Sequence, residues 1–499
     1  MGSLGEIIVL PFFGQGHLNP CLELCKQFGA LNVKAIFIIP STLSSSVSND
    51  HPLVEVVELP NSPSESESES ESESNPSHGT GSNPPRRRSL ANPLAQGIDS
   101  FLTERYGSGQ VRPICAVVDV MMAWSVDVFA KLEIPIASFF TSGACHSAIE
   151  YAKWKVDADS IKPGEVRFLP GLPNNMTLSY ADVNIHQRKK GGNVAEPGSA
   201  PGGSVESKPG AGRRIPWWEN VERSTVLLFN TCEDLEGLII KYIADQTGKP
   251  VYGVGPLLPE QYWKSAGSLV HDNEARSNKA TGIAEDEVME WLKSKADQSV
   301  IYISFGSEVT PTSEELGELA SALEESNQAF IWVIPPGSGI SGPPRSIKTM
   351  MGKEEEGGFD PYGLEEKVGN RGLIIKGWAP QLLILSHPSV GGFLSHCGWN
   401  STVEAIGRGV PILAWPIGGD QFNNAKLIVN YLGVGHTLYT SEDPFETMKK
   451  ERILKGIKMM MDDQQVHKKG KELAQRFQTG YPSVASLKAI VGLVSDSSS

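Results

Sequence analysis

The 499-residue chain holds only six cysteines, at 21, 25, 115, 145, 232 and 397, and no two form a CxxC pair. That spacing supplies neither a disulfide framework nor a structural metal site. In a chain of this length it reads as reduced, buried thiols in a reducing compartment. Basic excess is missing too: 44 Lys and Arg stand against 58 Asp and Glu, a formal charge of −14, which argues against nucleic acid or an anionic membrane as partner. Part of the acidity is uninformative, because Glu65, Glu67, Glu69, Glu71 and Glu73 all sit in one Ser-Glu repeat. No apolar run approaches the roughly 20 residues of a membrane-spanning helix. The N-terminus lacks a basic region before its short apolar run, and Glu6 breaks the myristoylation pattern that would follow Gly2. A cytoplasmic protein is expected.

What is present is a rhythm. The runs EIIVLPFF (6–13), VKAIFIIP, ICAVVDV and IPIASFF are apolar, rich in β-branched residues and separated by helical stretches. Strands buried on both faces read this way, and alternation with helices implies a parallel, doubly wound sheet. The rhythm restarts in SVIYISFG, AFIWVIPP, LIIKGWAP, VGGFLSH and VPILAWP, so the chain is expected to form two Rossmann-like domains facing each other. The boundaries are read as 1–254 for the first domain, 255–285 for a linker, 286–480 for the second domain and 481–499 for a tail packing back on the first. Two insertions, near 62–89 and 187–214, are too polar and too rich in Ser, Gly and Pro to bury a core, and are expected to be surface loops.

One stretch of 44 residues, Trp378–Gln421, concentrates the polar chemistry. Trp378 follows a strand at the carboxyl end where open α/β sheets bind ligands, so its indole could stack on a flat heterocycle, although a core Trp is the commoner fate. His396-Cys397-Gly398-Trp399-Asn400-Ser401 lies between a strand and a helix. Gly398 permits close backbone approach, and a helix start offers unpaired N–H groups to an anion such as a diphosphate. Ser401-x-x-Glu404 also spells a capping box that would tie both side chains to the helix terminus; a carboxylate one turn beyond a diphosphate equally suits two ribose hydroxyls. Asp420 and Gln421 follow another strand and could grip adjacent sugar hydroxyls.

At the other end of the chain, Gly14-Gln15-Gly16-His17-Leu18-Asn19-Pro20 closes the first strand. A dinucleotide fingerprint fails there, because Asn19 occupies the place of the third Gly and no acid occurs in Asn32–Pro40. Gly14 and Gly16 are expected to make a tight turn that leaves His17 at the mouth of the domain, where a neutral imidazole can take a proton. Asp119, at the end of ICAVVDV, would orient that ring and stabilise its charged form.

The 44-residue stretch closely resembles the signature box of plant secondary-product UDP-dependent glycosyltransferases, and GQGHLNP, LLFNTCEDLE and SFGS extend the resemblance over nearly the whole chain. It implies the GT-B fold and a UDP-sugar site. Trp378 would stack on uracil, with Ala379 and Gln381 holding the base. His396, Asn400, Ser401 and Ser307 would meet the diphosphate and Glu404 the ribose, while Trp399, Asp420 and Gln421 would meet the sugar, with the terminal Gln tending to accompany glucose. His17 as base and Asp119 as its partner follow from the same resemblance, which places an Asp five residues before a Trp, here Trp124. The implied reaction is inverting transfer of glucose from UDP-glucose to a hydroxyl of a small lipophilic metabolite, with phenolics such as flavonoids as the acceptor class. The acceptor pocket would be lined in part by Phe12, Trp124 and Phe140. No metal or other cofactor is required, and a monomer is expected. C-glycosylation, extension of an existing glycoside and a non-catalytic UDP-sugar binding protein remain the alternatives.

Overall fold

The computed structural model describes residues 3–60, 93–107, 112–156, 158–184, 216–265, 267–272, 282–340, 342, 345, 357–439 and 447–496. Both insertions expected as surface loops, 62–89 and 187–214, lie outside the described residues. The strands of the first half are β1 (Glu6–Leu10), β2 (Lys34–Pro40), β3 (Val54–Leu59), β4 (Cys115–Asp119), β5 (Ile136–Phe140), a separate antiparallel hairpin of β6 (Val166–Phe168) and β7 (Thr177–Ser179), then β8 (Val226–Phe229) and β9 (Val251–Gly253). Hairpin aside, they form one parallel sheet in the order β3-β2-β1-β4-β5-β8-β9. The second half supplies β10 (Val300–Ser304), β11 (Ala329–Ile334), β12 (Gly372–Lys376), β13 (Val390–Ser395), β14 (Ile412–Ala414) and β15 (Gly435–Thr437), in the order β12-β11-β10-β13-β14-β15.

The continuous apolar runs explain the central strands. Every residue of β4 and of β10 is buried, as a strand covered on both faces by helices requires. Side chains alternate between the two faces of the sheet. Ile7 and Val9 pack with Leu18, Cys21 and Phe28 of the helix Gln15–Ala30, whereas Ile8 and Leu10 pack with Ile98, Leu102 and Phe129. Six short or edge strands, β3, β6, β7, β8, β9 and β15, were not read from the sequence; four of them have only three residues, too few to show a period.

In both sheets the winding reverses beside the first strand. Ile8 pairs with Ile36 of β2 on one side and with Ala116 of β4 on the other. Tyr302 likewise pairs with Ile331 of β11 and Phe393 of β13. Such reversals open a crevice at the carboxyl ends of the strands. The two expected parallel sheets are therefore present, each with a place for a ligand.

The last helix, Val484–Asp496, returns to the first half, where Leu487 and Ile490 are buried with Val9, Phe28 and Phe139. Ser483 Oγ donates to the Gly255 carbonyl at 2.6 Å, and the Tyr481 hydroxyl donates to the Val254 carbonyl. All six cysteines are buried and unbridged, and burial pushes the Cys115 and Cys232 thiols up to about 12. Because Ile490 is fully enclosed, Ile490→Ala is expected to cost about 3 kcal/mol through lost transfer energy and a cavity. Urea unfolding should show that loss in the transition of the first half; an unchanged midpoint would show that the return contact is not stabilising.

Candidate active site

The helix Gln15–Ala30 begins directly after β1. Gly14 is its N-cap in extended backbone (φ −77°, ψ 149°), so Gly16 and His17 lie in the first helical turn, and the tight Gly14–Gly16 turn expected from the sequence does not form. β4 ends on Asp119, whose side chain is wholly buried. A carboxylate in that position needs compensating donors. The Met121 N–H donates to it at 2.9 Å, and His17 Nδ1 lies 2.7 Å from Oδ2. An ionised carboxylate only accepts, so Nδ1 carries the proton and Nε2 presents its lone pair. Thr141 Oγ1, just past β5, lies 3.0 Å from the same Nδ1. Both ring hydrogen bonds among the described residues are thus at Nδ1, while the imidazole keeps 29% of its surface exposed. Burial pulls the His17 pKa down. Asp119 outweighs it by charge and hydrogen bond, and Asp420 and Glu308 push the same way, so the net shift is upward from the ordinary histidine value.

The second crevice is built from two strand ends and two glycine turns. Past β10, Gly306 adopts φ +73°, and a Cβ there would lie 2.6 Å from His396 Nε2. Ser307 follows and is half-buried. Past β13 comes His396, then Cys397 at φ +64°, a left-handed conformation costing roughly 1–2 kcal/mol for a residue with a side chain. Cys397 is held there by its own N–H on Ser395 Oγ (3.1 Å) and by Asn424 Nδ2 on its carbonyl (3.0 Å). Its role is in the backbone as well as in packing. His396 is enclosed; burial drives its pKa down to about 4, and its Nδ1 is buried with no hydrogen-bond partner among the described residues. A buried orphan beside a helix start suits a polar ligand.

That helix, Trp399–Ile406, has Gly398 as N-cap and no side-chain cap, so the Ser401–Glu404 capping box is not formed. Both side chains instead bind one amide: Gln381 Nε2 donates to Ser401 Oγ at 3.1 Å and to Glu404 Oε2 at 2.6 Å. The Tyr302 hydroxyl donates to Gln381 Oε1 at 3.0 Å and fixes its orientation. Trp378 stands half-buried past β12 after Gly377 (φ +104°), and Ala379 beside it is buried. Trp399 is buried, its indole N–H donating to the Asn230 carbonyl at 2.6 Å, and Asn400 Nδ2 donates to the Gly16 carbonyl at 3.4 Å. Asp420 accepts from Asn424 Nδ2 at 3.0 Å. The Gln421 carbonyl oxygen accepts from the N–H groups of Ile417 and Gly418, which leaves its amide N–H groups as the end free for a ligand.

Of the three residues expected to line an acceptor pocket, Phe12 touches the His17 ring and Phe140 directly precedes Thr141, which meets the same ring. Phe12 meets His17 edge-on at 5.2 Å and, like Trp124, packs against the cluster of Leu10 and Val118. Phe140 belongs to another cluster, stacked on Phe229 at 4.3 Å and edge-on to Trp217 at 5.9 Å. Sequence reasoning missed Thr141, Asn230 and Trp217; Asn230 stands inside LLFNTCEDLE, which could have flagged it, whereas no local motif marks the other two. Among the described residues no helix is long and apolar enough to cross a membrane, and no group of three or more His, Cys, Asp or Glu is placed to hold a metal ion.

Two doubly wound parallel sheets, with a buried-acid-paired His at one crevice and a neutral His beside a helix start at the other, define the GT-B class of nucleotide-sugar transferases. The family model described as UDP-glucoronosyl and UDP-glucosyl transferase matches residues 272–475. UDP-glucosyl transferase 73M2 of Saponaria officinalis is 30% identical over 98% of this chain and 96% of its own length. The scopoletin glucosyltransferase of Nicotiana tabacum is 29% identical over 92% and 90%. A crystal structure of Glycyrrhiza uralensis UGT73P12, complexed with glycyrrhetinic acid 3-O-monoglucuronide, superposes with a TM-score of 0.69 at 25% identity, over 99% of this chain and 96% of that one. The chain belongs to the plant UDP-glycosyltransferase family. Since Gly306 is required both by its backbone and by the His396 ring, Gly306→Ala is expected to weaken UDP binding about tenfold or more. Calorimetry with UDP checks this; an unchanged affinity would remove the Gly306–His396 seat from the donor site.

Proposed function

We propose that this enzyme transfers glucose from UDP-glucose to a hydroxyl of a small lipophilic plant metabolite, with His17 as general base and Asp119 as its partner. The observation that carries the reading is the 2.7 Å pair of His17 Nδ1 and the buried Asp119, which reserves Nε2 for an acceptor proton. Asn400, beside the helix start in the second crevice, reaches back to the residue preceding His17 and brings donor and base together. The acceptor oxygen, losing its proton to Nε2, attacks the anomeric carbon opposite the departing UDP, and an α-linked donor gives a β-glycoside. Negative charge growing on the diphosphate is met by the N–H groups that start the helix Trp399–Ile406, by His396 and by Ser307, without a metal. Trp378, Ala379 and Gln381 hold the uridine, Glu404 the ribose, and Asp420 and Gln421 the sugar, with Asn400 and Ser401 along the diphosphate.

The division of labour follows the two sheets: 1–254 takes the acceptor, 286–480 takes the donor, 255–285 joins them, and the tail 481–499 belongs with the first. A phenolic acceptor is supported by the tobacco relative named for scopoletin, and flavonoids are the phenolics we propose first. The protein acts as a cytoplasmic monomer. An acceptor panel assayed with UDP-glucose, UDP-galactose and UDP-rhamnose and read by mass spectrometry tests substrate class; a C-linked product would overturn the O-transfer reading.

The base assignment has its own test. His17→Ala should keep UDP affinity within about twofold and lose transfer to a hydroxyl by about 10²-fold or more. Retained O-glucosylation sinks the mechanism. The pH profile has a definite sign. His17 works when neutral, so kcat/KM should fall as pH drops through its pKa, which lies above the ordinary histidine value. Asp119 is what raises that pKa against burial. Asp119→Asn should therefore move the acid limb to lower pH while lowering the plateau. A limb that stays in place would show that another group sets it.

A further inference from the structure

Trp399 is the first residue of the donor-side helix, three positions beyond His396, yet its indole lies in the other half of the molecule. The Nε1–H donates to the Asn230 carbonyl at 2.6 Å, and the seat around the ring is built for it. A Cβ on Gly143 would lie 2.5 Å from the indole Cη2 and 2.5 Å from Glu236 Oε2, so only glycine fits there. The buried Glu236 carboxylate accepts from the N–H groups of Ala144 (3.0 Å) and Cys145 (2.7 Å), which pins the Gly143 segment against the ring.

Asn230 is not a passive acceptor. Its Nδ2 donates to the Thr141 carbonyl at 3.0 Å, its Oδ1 accepts from the Leu257 N–H at 2.7 Å, and its own N–H donates to the Phe140 carbonyl at 3.0 Å. Thr141 Oγ1 in turn lies 3.0 Å from His17 Nδ1. An unbroken chain of short contacts thus runs from the donor helix through Asn230 and Thr141 to the base. The neighbouring residue reaches the other side of His17. Asn400 Nδ2 meets the Gly16 carbonyl, the one that the fourth residue on, Pro20, cannot satisfy because it has no N–H. Two consecutive residues of the donor helix therefore bracket His17.

We propose that the Trp399 indole is a latch across the cleft, a positioning residue that acts through Asn230 and Thr141 to hold His17 in register with the donor-carrying helix. Packing alone would not require the indole N–H. Reaction between bound partners depends steeply on sub-ångström alignment, whereas binding of UDP to its own half does not.

The test uses the full-length enzyme. Trp399→Phe keeps an aromatic ring and removes the N–H; Gly143→Ala leaves Trp399 in place and closes its seat. Each is expected to lower kcat about tenfold, with UDP affinity by calorimetry, at a stoichiometry of one, within about twofold of wild type. The double variant should lose no more than the worse single one, since both break the same contact. A kcat within twofold of wild type in both variants overturns the latch, as does a loss of UDP binding large enough to account for the lost rate. The proposal rests on His17 as base, and the His17→Ala result separates the two readings. Wild-type kcat in the latch variants with an inactive His17→Ala enzyme removes the latch alone. An active His17→Ala enzyme removes the base, and the latch with it as a device for positioning that base.

Discussion

The constraint on which everything here rests is that a strand buried on both faces cannot carry an unpaired polar side chain along its length. In β4 and β10 chemistry is therefore pushed to the carboxyl ends, where the winding reverses and the helices part. Asp119 is the limiting case, the last residue of a wholly buried strand and itself a carboxylate. It persists because the chain turns back at once to offer the Met121 N–H, and because His17, at the start of the next-door helix, supplies the second donor. The His17–Asp119 pair is thus a solution to a desolvation problem before any chemistry is asked of it. Its short distance follows from both.

The same constraint sets two histidines to opposite tasks. His17 faces three carboxylates and is lifted above its ordinary pKa; His396, enclosed with no acid to offset burial, is held neutral. One side-chain type, in two environments, gives one imidazole that holds a proton more readily than usual and one that stays neutral. An acidic protein can hold an anionic donor on these terms. On the proposed reading, recognition falls to oriented N–H groups and a neutral imidazole, so the acids that tune His17 need not be balanced by a cation beside the diphosphate.

How much of this was legible depended on how local each signal was. Strands with continuous apolar runs and residues gathered at one strand–helix junction, such as His396 to Ser401, stand together in sequence. Contacts that join distant segments do not. Thr141 is 124 residues from His17 and Asn230 is 169 from Trp399, and nothing near either in sequence marks the pairing. Backbone conformation was misjudged for a related reason. Gly14 and Gly16 suggested a turn, but with open space around Gly16 and an ordinary helical start nothing demanded positive φ, and the left-handed residue proved to be Cys397. Ser401 and Glu404 have capping-box spacing, but the helix begins three residues too early, with Gly398 as its N-cap, so Gln381 takes both. The aromatic residues Phe12, Trp124 and Phe140 split between two clusters, a division that sequence spacing over more than a hundred residues does not reveal.

Glycine does at the cleft what a ligand-contacting side chain cannot. Gly306 makes room for the His396 ring, and Gly143 makes room for the Trp399 indole. In each case a large ring from one segment is seated on bare backbone of another, with less than a methyl group of clearance. Seats of that kind resist small displacements, because interiors are close-packed and a ring that slides meets backbone rather than a flexible side chain. On the proposed reading, the relative placement of base and donor is then set by two absences of side chain as much as by the polar residues themselves. A substitution adding one carbon at either glycine should disturb alignment more than the loss of many of the surface ion pairs, which are exposed and individually weak.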